Sequence, residues 1–186
     1  MRIGIDIDDT ITNTWKDIIP YYSIWFNVSE DKLKNSKPYY EAVKDIYTIE
    51  EFFDEIKPLY EGIVPYVSIR DNAKEVINKL HGLGHKIIFI SSRGGGYYDP
   101  YTLTKEYLDR HNVYYDKLLI NIGNKDKACL DEKIDLFIDD SYKHCKEVSN
   151  VGINVLMVSN YFNKEYSEFR HIDNWNQVYS IVENGG

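Results

Sequence analysis

The chain is poor in the residues that build several common sites. Its 186 residues include two cysteines, Cys129 and Cys145, with neither a CxxC pair nor zinc-type spacing, and its five histidines are scattered. No apolar run approaches the ~20 residues of a membrane span. Met1 leads directly into an apolar, strand-like stretch, so no signal peptide is expected and a cytoplasmic location is. The 22 basic residues are outnumbered by 30 acidic ones, for a net charge of -8, and form no cluster. That excludes the footprint of a protein that binds a nucleic-acid polymer or an acidic membrane. Small anionic substrates stay open, because a metal ion and a few local cations override a global charge. Gly94-Gly95-Gly96 is not followed by the Gly-Lys-Ser/Thr of a Walker loop. Internal repeats and low-complexity segments are absent. The length suits one domain with a smaller insertion.

What is present begins at the front. Ile3-Gly4-Ile5-Asp6-Ile7-Asp8-Asp9-Thr10 is an apolar run that ends in three carboxylates and a hydroxyl. In a strand, Asp6 and Asp8 share a face, about 7 Å apart at a rise of ~3.3 Å per residue. Two such acids repel unless a cation compensates, and Mg2+ prefers one or two carboxylates with waters and phosphate oxygens. A calcium loop counted from Asp6 would need Gly sixth and Glu twelfth, where the chain has Ile11 and Asp17. A helix cap near Thr10 explains only one of the acids.

Helical spacing covers Thr12 to Phe26, with Pro20 expected to kink or break it, and Ile49 to Tyr60. Residues 27 to 70 hold no convincing strand. From Asp71, where Asp71 or Asn72 can cap a helix running from Ala73 to Leu80, strand and helix patterns alternate. Strands are expected at Lys86–Ile90, Leu118–Ile122, Ile134–Ile138 and Ile153–Val158. Helices are expected at Tyr101–His111, Lys125–Glu132, Tyr142–Val148 and Asn174–Val182. Alternation of this kind predicts a parallel, doubly wound sheet.

The ends of the strands decide the function. One ends in Asp6 and Asp8, one in Ser91-Ser92-Arg93, and one in Asp139-Asp140-Ser141. In open parallel sheets the ligand crevice lies beyond the carboxyl ends of the strands, so these groups converge. A strand-held Asp6 can attack a phosphoryl group. Asp8 can protonate the leaving oxygen and later activate water, which calls for a pKa nudged upward. Asp140, beside Asp139, can complete a metal shell with Asp6 and the Asp8 carbonyl, and Ser91 can hydrogen-bond phosphoryl oxygens. Lys125 or Lys127 could neutralise the remaining charge from the start of a helix.

These motifs resemble the haloacid dehalogenase superfamily of phosphatases. Asp6-Ile7-Asp8-Asp9-Thr10 matches the family's DxDxT motif, Ser91 its second motif, Lys127 its lysine motif, and Asp139-Asp140 its acidic fourth motif. Phe89 to Arg93, Phe137 to Ser141 and Arg170 to Trp175 are similar to the 5'(3')-deoxyribonucleotidase and 5'-nucleotidase branch. The resemblance implies an α/β, Rossmann-like sheet of order 5-4-1-2-3 with a small helical cap inserted after strand 1. Residues 1–13 and 71–186 would form the catalytic core and 14–70 the cap. It implies a Mg2+-dependent phosphomonoesterase with an aspartyl-phosphate intermediate and nucleoside or deoxynucleoside monophosphates as substrates. Asp6 and Asp8 would be catalytic, with Asp6, Asp8 and Asp140 at the metal. Ser91, Ser92, Arg93 and Lys127 would bind phosphate, and Asp139 and Thr10 would support them. The family's dehalogenases lack the acid at the Asp8 position, so phosphoryl transfer is favoured.

A phosphatase of another small metabolite, such as a sugar phosphate, fits the same residues. So does a binding protein that keeps the fold without turnover. The oligomeric state stays open, a homodimer included. Tyr21, Tyr22, Tyr39, Tyr40, Tyr47, Tyr60 and Tyr66 crowd the expected cap, where building a small core is a simpler use than stacking on a base. Arg93 with its glycines reads equally as a phosphate clamp or an exposed loop. His144 is expected on a solvated helix face.

Overall fold

The structure is a computed structural model that describes residues 1–36, 39–94, 99–160 and 162–184. Six parallel strands form one sheet in the order β3-β2-β1-β4-β5-β6. They are β1 (Arg2–Ile5), β2 (Lys86–Ile90), β3 (Lys117–Leu119), β4 (Leu136–Asp139), β5 (Asn154–Val158) and β6 (Arg170–Ile172). Read from the other edge, the first five have the expected order. β6 extends the sheet by three residues, too short and polar to give a period in the sequence.

Strand parity builds two cores. Ile3, Ile5, Phe89, Leu136 and Ile138 face one side, where they meet α4 (Ala73–Gly82), α5 (Pro100–Arg110) and α8 (Trp175–Asn184). Ile88, Ile90 and Phe137 face the other, against Cys129 of α6 (Lys125–Asp131) and Val148 of α7 (Tyr142–Asn150). Each fully buried Ile or Phe stabilises the fold by about 1.5–3 kcal/mol. Gly4 occupies the second face of β1, where a Cβ would come within 3.0 Å of the Phe137 ring.

Between β1 and α4 lies a helical insert with its own core. It contains α1 (Thr14–Phe26), α2 (Glu30–Lys34) and α3 (Ile49–Ile63), packed through Ile18, Tyr22, Phe26, Leu33 and Phe52. α1 runs on through Pro20, so of the kink or break expected there the break does not occur. Thr48 and Glu51 form a reciprocal capping box that fixes the start of α3. The chain enters and leaves the insert side by side: Asn13 N donates to Ser68 O at 2.9 Å and Arg70 N to Ile11 O at 2.8 Å.

Several boundaries differ from the sequence expectation. β1 ends at Ile5, and β3 stops at Leu119 because Asn121 turns into the left-handed region at φ 62°. α4 begins after a left-handed Asn72 whose side chain makes no capping bond. Gly95 and Gly96 lie outside the described residues, as does the side chain of Tyr39.

Candidate active site

Past β1, Asp6 N still donates to Ile138 O at 2.9 Å, and the chain then leaves the sheet. Asp9 adopts φ 55°, and the Ile7 carbonyl accepts from Thr10, Ile11 and Thr12. The expected strand face shared by Asp6 and Asp8 is therefore a tight turn that sends the two carboxylates to different partners.

Asp6 points into a cluster. Its Oδ1 accepts from Lys125 Nζ at 2.6 Å, and the same ammonium donates to Asp139 Oδ2 at 2.7 Å. All three groups are buried. Thr10 Oγ1 lies 3.4 Å from both Asp6 and Asp140 carboxylates and accepts from Asp140 N at 3.1 Å. Asp140 also receives Asn160 Nδ2 at 2.7 Å.

Of the two lysine candidates, Lys125 and not the favoured Lys127 lies beside Asp6. Lys125 and the buried Cys129 lie four residues apart on the inward face of α6. Lys127, two residues and about 200° further round, is exposed.

Asp8 is held by four donors. Arg93 places Nε on Oδ2 at 2.8 Å and Nη2 on Oδ1 at 2.7 Å, Thr14 Oγ1 donates at 2.7 Å, and Tyr60 of α3 donates at 2.7 Å. Burial pushes the Asp8 carboxyl up, but the Arg93 charge and these bonds more than reverse it and leave it below its ordinary value. The expectation from sequence is an upward nudge; here the Arg93 charge pulls the other way. Arg93 is buried with its fork filled by Asp8, which settles against an exposed loop for the side chain. Ser91 is buried, its Oγ accepting from Arg93 N at 3.2 Å, whereas the Ser92 hydroxyl donates to Ile122 O at 3.0 Å.

A cavity of about 330 Å3 opens over these residues, lined by Asp6, Asp8, Asp9, Asp139 and Asp140 against Lys125 and Arg93. Burial, opposed by Lys125, raises the Asp6 carboxyl to about 6, and burial with its acidic neighbours raises Asp140 well above its usual value. Burial likewise lifts Asp9 to about 7, against the hydrogen bond from Trp15 N. Burial also works against Asp139, but Lys125 and His144 hold it low. Carboxylate oxygens of Asp6, Asp139 and Asp140 lie within 4.8 Å of one another. Five acids against two cations, with hard oxygen donors converging, fit a divalent cation such as Mg2+. The Asp8 carboxylate, among the expected metal ligands, stands outside that trio.

Several further neighbours complete the site. His144 is half-buried, lines the cavity and sets Nδ1 3.3 Å from Asp139 Oδ2, not on a solvated face. Tyr60 was one tyrosine among many, and Thr14 and Asn160 carry no sequence signal. Asn163 is buried and donates to Asp140 O at 2.8 Å, bracing the same loop.

Comparison with known proteins bears on this geometry. The model of the family "5' nucleotidase, deoxy (Pyrimidine), cytosolic type C protein" matches residues 1–184. A nucleotidase of Clostridium acetobutylicum is 29% identical over 189 residues, covering 98% of this chain and 94% of that one. Among solved structures, a haloacid dehalogenase-like hydrolase of Streptococcus pneumoniae superposes with a TM-score of 0.68 at 9% identity, covering 98% of both chains. The Bacillus subtilis protein YfnB, described as a HAD hydrolase bound to magnesium, gives 0.66 at 13% identity over 97% of both chains. At those identities the structural likeness speaks for the fold.

Proposed function

The chain belongs to the cytosolic type C 5'-nucleotidase family of haloacid dehalogenase superfamily hydrolases, and from that premise we propose a Mg2+-dependent phosphatase of nucleoside and deoxynucleoside monophosphates that works through Asp6. The observation that carries this is the acid trio of Asp6, Asp139 and Asp140 with a single buried lysine among them.

In this reading Asp6 attacks phosphorus, the bond to the leaving oxygen breaks, and that oxygen takes a proton from Asp8. Water then gives its proton to Asp8 and attacks phosphorus, and the bond to Asp6 breaks. Asp8 can supply a proton only when Arg93 loosens its grip. An incoming phosphoryl group, itself suited to a bidentate fork, competes for that guanidinium. Lys125 orients Asp6 and offsets its charge, and the buried Ser91 hydroxyl would hydrogen-bond the phosphoryl oxygens. Asp6, Asp140 and the Asp8 carbonyl would hold Mg2+, which supplies charge screening for an anionic electrophile when bound.

Residues 14–70 act as a cap over a core of 1–13 and 71–186, with the neck at 11–13 and 68–70 as its hinge. Tyr60 brings the cap to Asp8, and closure excludes water until phosphoryl transfer is complete. Among the described residues no helix is long and apolar enough to cross a membrane. A cytoplasmic site of action, with small phosphorylated metabolites as partners, belongs to the same reading.

The test is phosphate release from a panel of nucleotides and sugar phosphates, with Mg2+ and with EDTA. Metal-dependent release from nucleoside monophosphates is expected. Release from sugar phosphates alone would keep the chemistry and overturn the substrate, and no release from any of them would leave a binding protein.

A further inference from the structure

A second cavity, of about 530 Å3, shares only Asp9 with the acidic one among the described lining residues. Trp15 and Ile19 of α1 and Phe162, four residues past β5, supply its apolar wall, with the Trp15 and Phe162 ring centroids 6.2 Å apart. Lys16, Arg70 and Asn13 line it too, and the same three residues line an adjoining polar cavity of about 210 Å3. Two cations therefore stand at the junction of an aromatic space and a polar one. Among the described residues the Lys16 side chain makes no hydrogen bond or ion pair. Arg70 uses Nε on the Thr12 carbonyl at 3.3 Å, and its two terminal nitrogens make no hydrogen bond there.

The chemistry of these walls limits the occupant. A guanidinium and an ammonium lining one space suit a phosphate, and aromatic rings along its wall suit a planar base of any identity. An apolar ligand would leave the Lys16 ammonium unmatched, and inorganic phosphate would leave the aromatic wall wet. Asp71 and Asp173, which line the polar cavity, disfavour a polyphosphate tail. The volume lies within the range of small-molecule sites. We propose that this cavity is a second, regulatory site for a nucleoside monophosphate, its base against Trp15 and Phe162 and its phosphate between Lys16 and Arg70.

Two bonds connect the site to the acidic cavity. Asn160 lines the second cavity and donates to Asp140 Oδ2 at 2.7 Å. Trp15 N donates to Asp9 Oδ1 at 2.8 Å. An occupant thus touches the groups that hold two of the acids, and its binding changes turnover. Only this regulatory effect rests on the proposed phosphatase activity.

The experiment is calorimetric titration of the full chain with adenosine 5'-monophosphate in EDTA, where the uncompensated acids of the first cavity repel a phosphate. One site per chain is expected, with Asp6→Asn binding as wild type does. Lys16→Glu and Phe162→Ala should each weaken binding by about tenfold or more. Thymidine 5'-monophosphate should bind comparably and inorganic phosphate far more weakly. With Mg2+ restored, Lys16→Glu should hydrolyse p-nitrophenyl phosphate within about twofold of wild type, as expected for a surface change away from the chemistry. It should also lose any change in that rate caused by the added nucleotide. Absence of binding in EDTA, or binding that Asp6→Asn alters and Lys16→Glu does not, would overturn the site. Because the titration reads no turnover, a chain that hydrolyses no nucleotide could still pass it.

Discussion

Lys125 Nζ lies 2.6 Å from Asp6 Oδ1 in a buried setting, and Asp139 shares the same ammonium. One cation thus orients one acid and partly neutralises another, while Asp140 is left to other partners. Breaking a buried pair of this kind costs about 3–5 kcal/mol, because the orphaned charges stay inside. Lys125→Met should therefore lower stability in chemical denaturation by several kcal/mol and abolish measurable turnover. Lys127→Ala, at an exposed position, should change neither stability nor kcat/KM by more than about twofold.

The acid cluster makes the metal-free protein sensitive to pH. Asp6 and Asp9 have folded-state values raised to about 6 and about 7, above those of an unfolded chain. Between the ordinary carboxylate range and pH 7 the folded state therefore binds more protons than the unfolded state, so stability falls as pH rises. In EDTA, Tm should be higher near pH 5 than at pH 8. Mg2+ should raise Tm more at pH 8, because it replaces those protons. A Tm in EDTA that rises from pH 5 to pH 8 would contradict the cluster.

Arg93 exerts the opposite pull on Asp8. Burial favours the protonated carboxyl, and the Arg93 fork overrides it. In Arg93→Gln, Asp8 should keep its proton to higher pH, moving the break in the kcat/KM profile upward while KM rises. The variant should also lose about 3 kcal/mol at neutral pH. For a depressed carboxylate that difference is present above the unfolded value and is lost as pH falls through the folded one. The stability gap should close only below the ordinary carboxylate range.

Gly94 permits a close approach to Asn121. A Cβ there would come within 2.9 Å of Asn121 Cβ, and Asn121 N donates to Arg93 O at 2.8 Å. Gly94→Ala should cost about 1–3 kcal/mol by overpacking and displace Arg93. Asn121→Gly, at a left-handed position that glycine tolerates, should restore much of both. A double-mutant cycle with no coupling would contradict the contact.

Much of this was legible in the sequence because strand cores announce themselves. Lys86–Ile90 carries four apolar residues behind an exposed lysine, the mark of a buried strand, and the structure keeps its bounds. The parallel sheet and the convergence of Asp6, Ser91, Asp139 and Asp140 followed from where such runs end. What stayed hidden depended on side-chain direction or on distant chain segments. Lys125 and Lys127 are indistinguishable until the inward face of α6 is known. The pairing of Asp8 with Arg93 and Tyr60 spans 85 and 52 residues and leaves no periodicity. The turn at Asp9, which separates Asp6 from Asp8, sits inside a stretch that alternates like a strand.

The central claim is that Asp6 carries the phosphoryl group. A single turnover with a nucleoside monophosphate and Mg2+, quenched with borohydride, would reduce an aspartyl-phosphate to homoserine that peptide mass spectrometry can place. Homoserine at position 6, absent in EDTA and in Asp6→Asn, is the predicted result. Metal-dependent turnover with no modification at Asp6, or with the modification at Asp8 or Asp140, would contradict it.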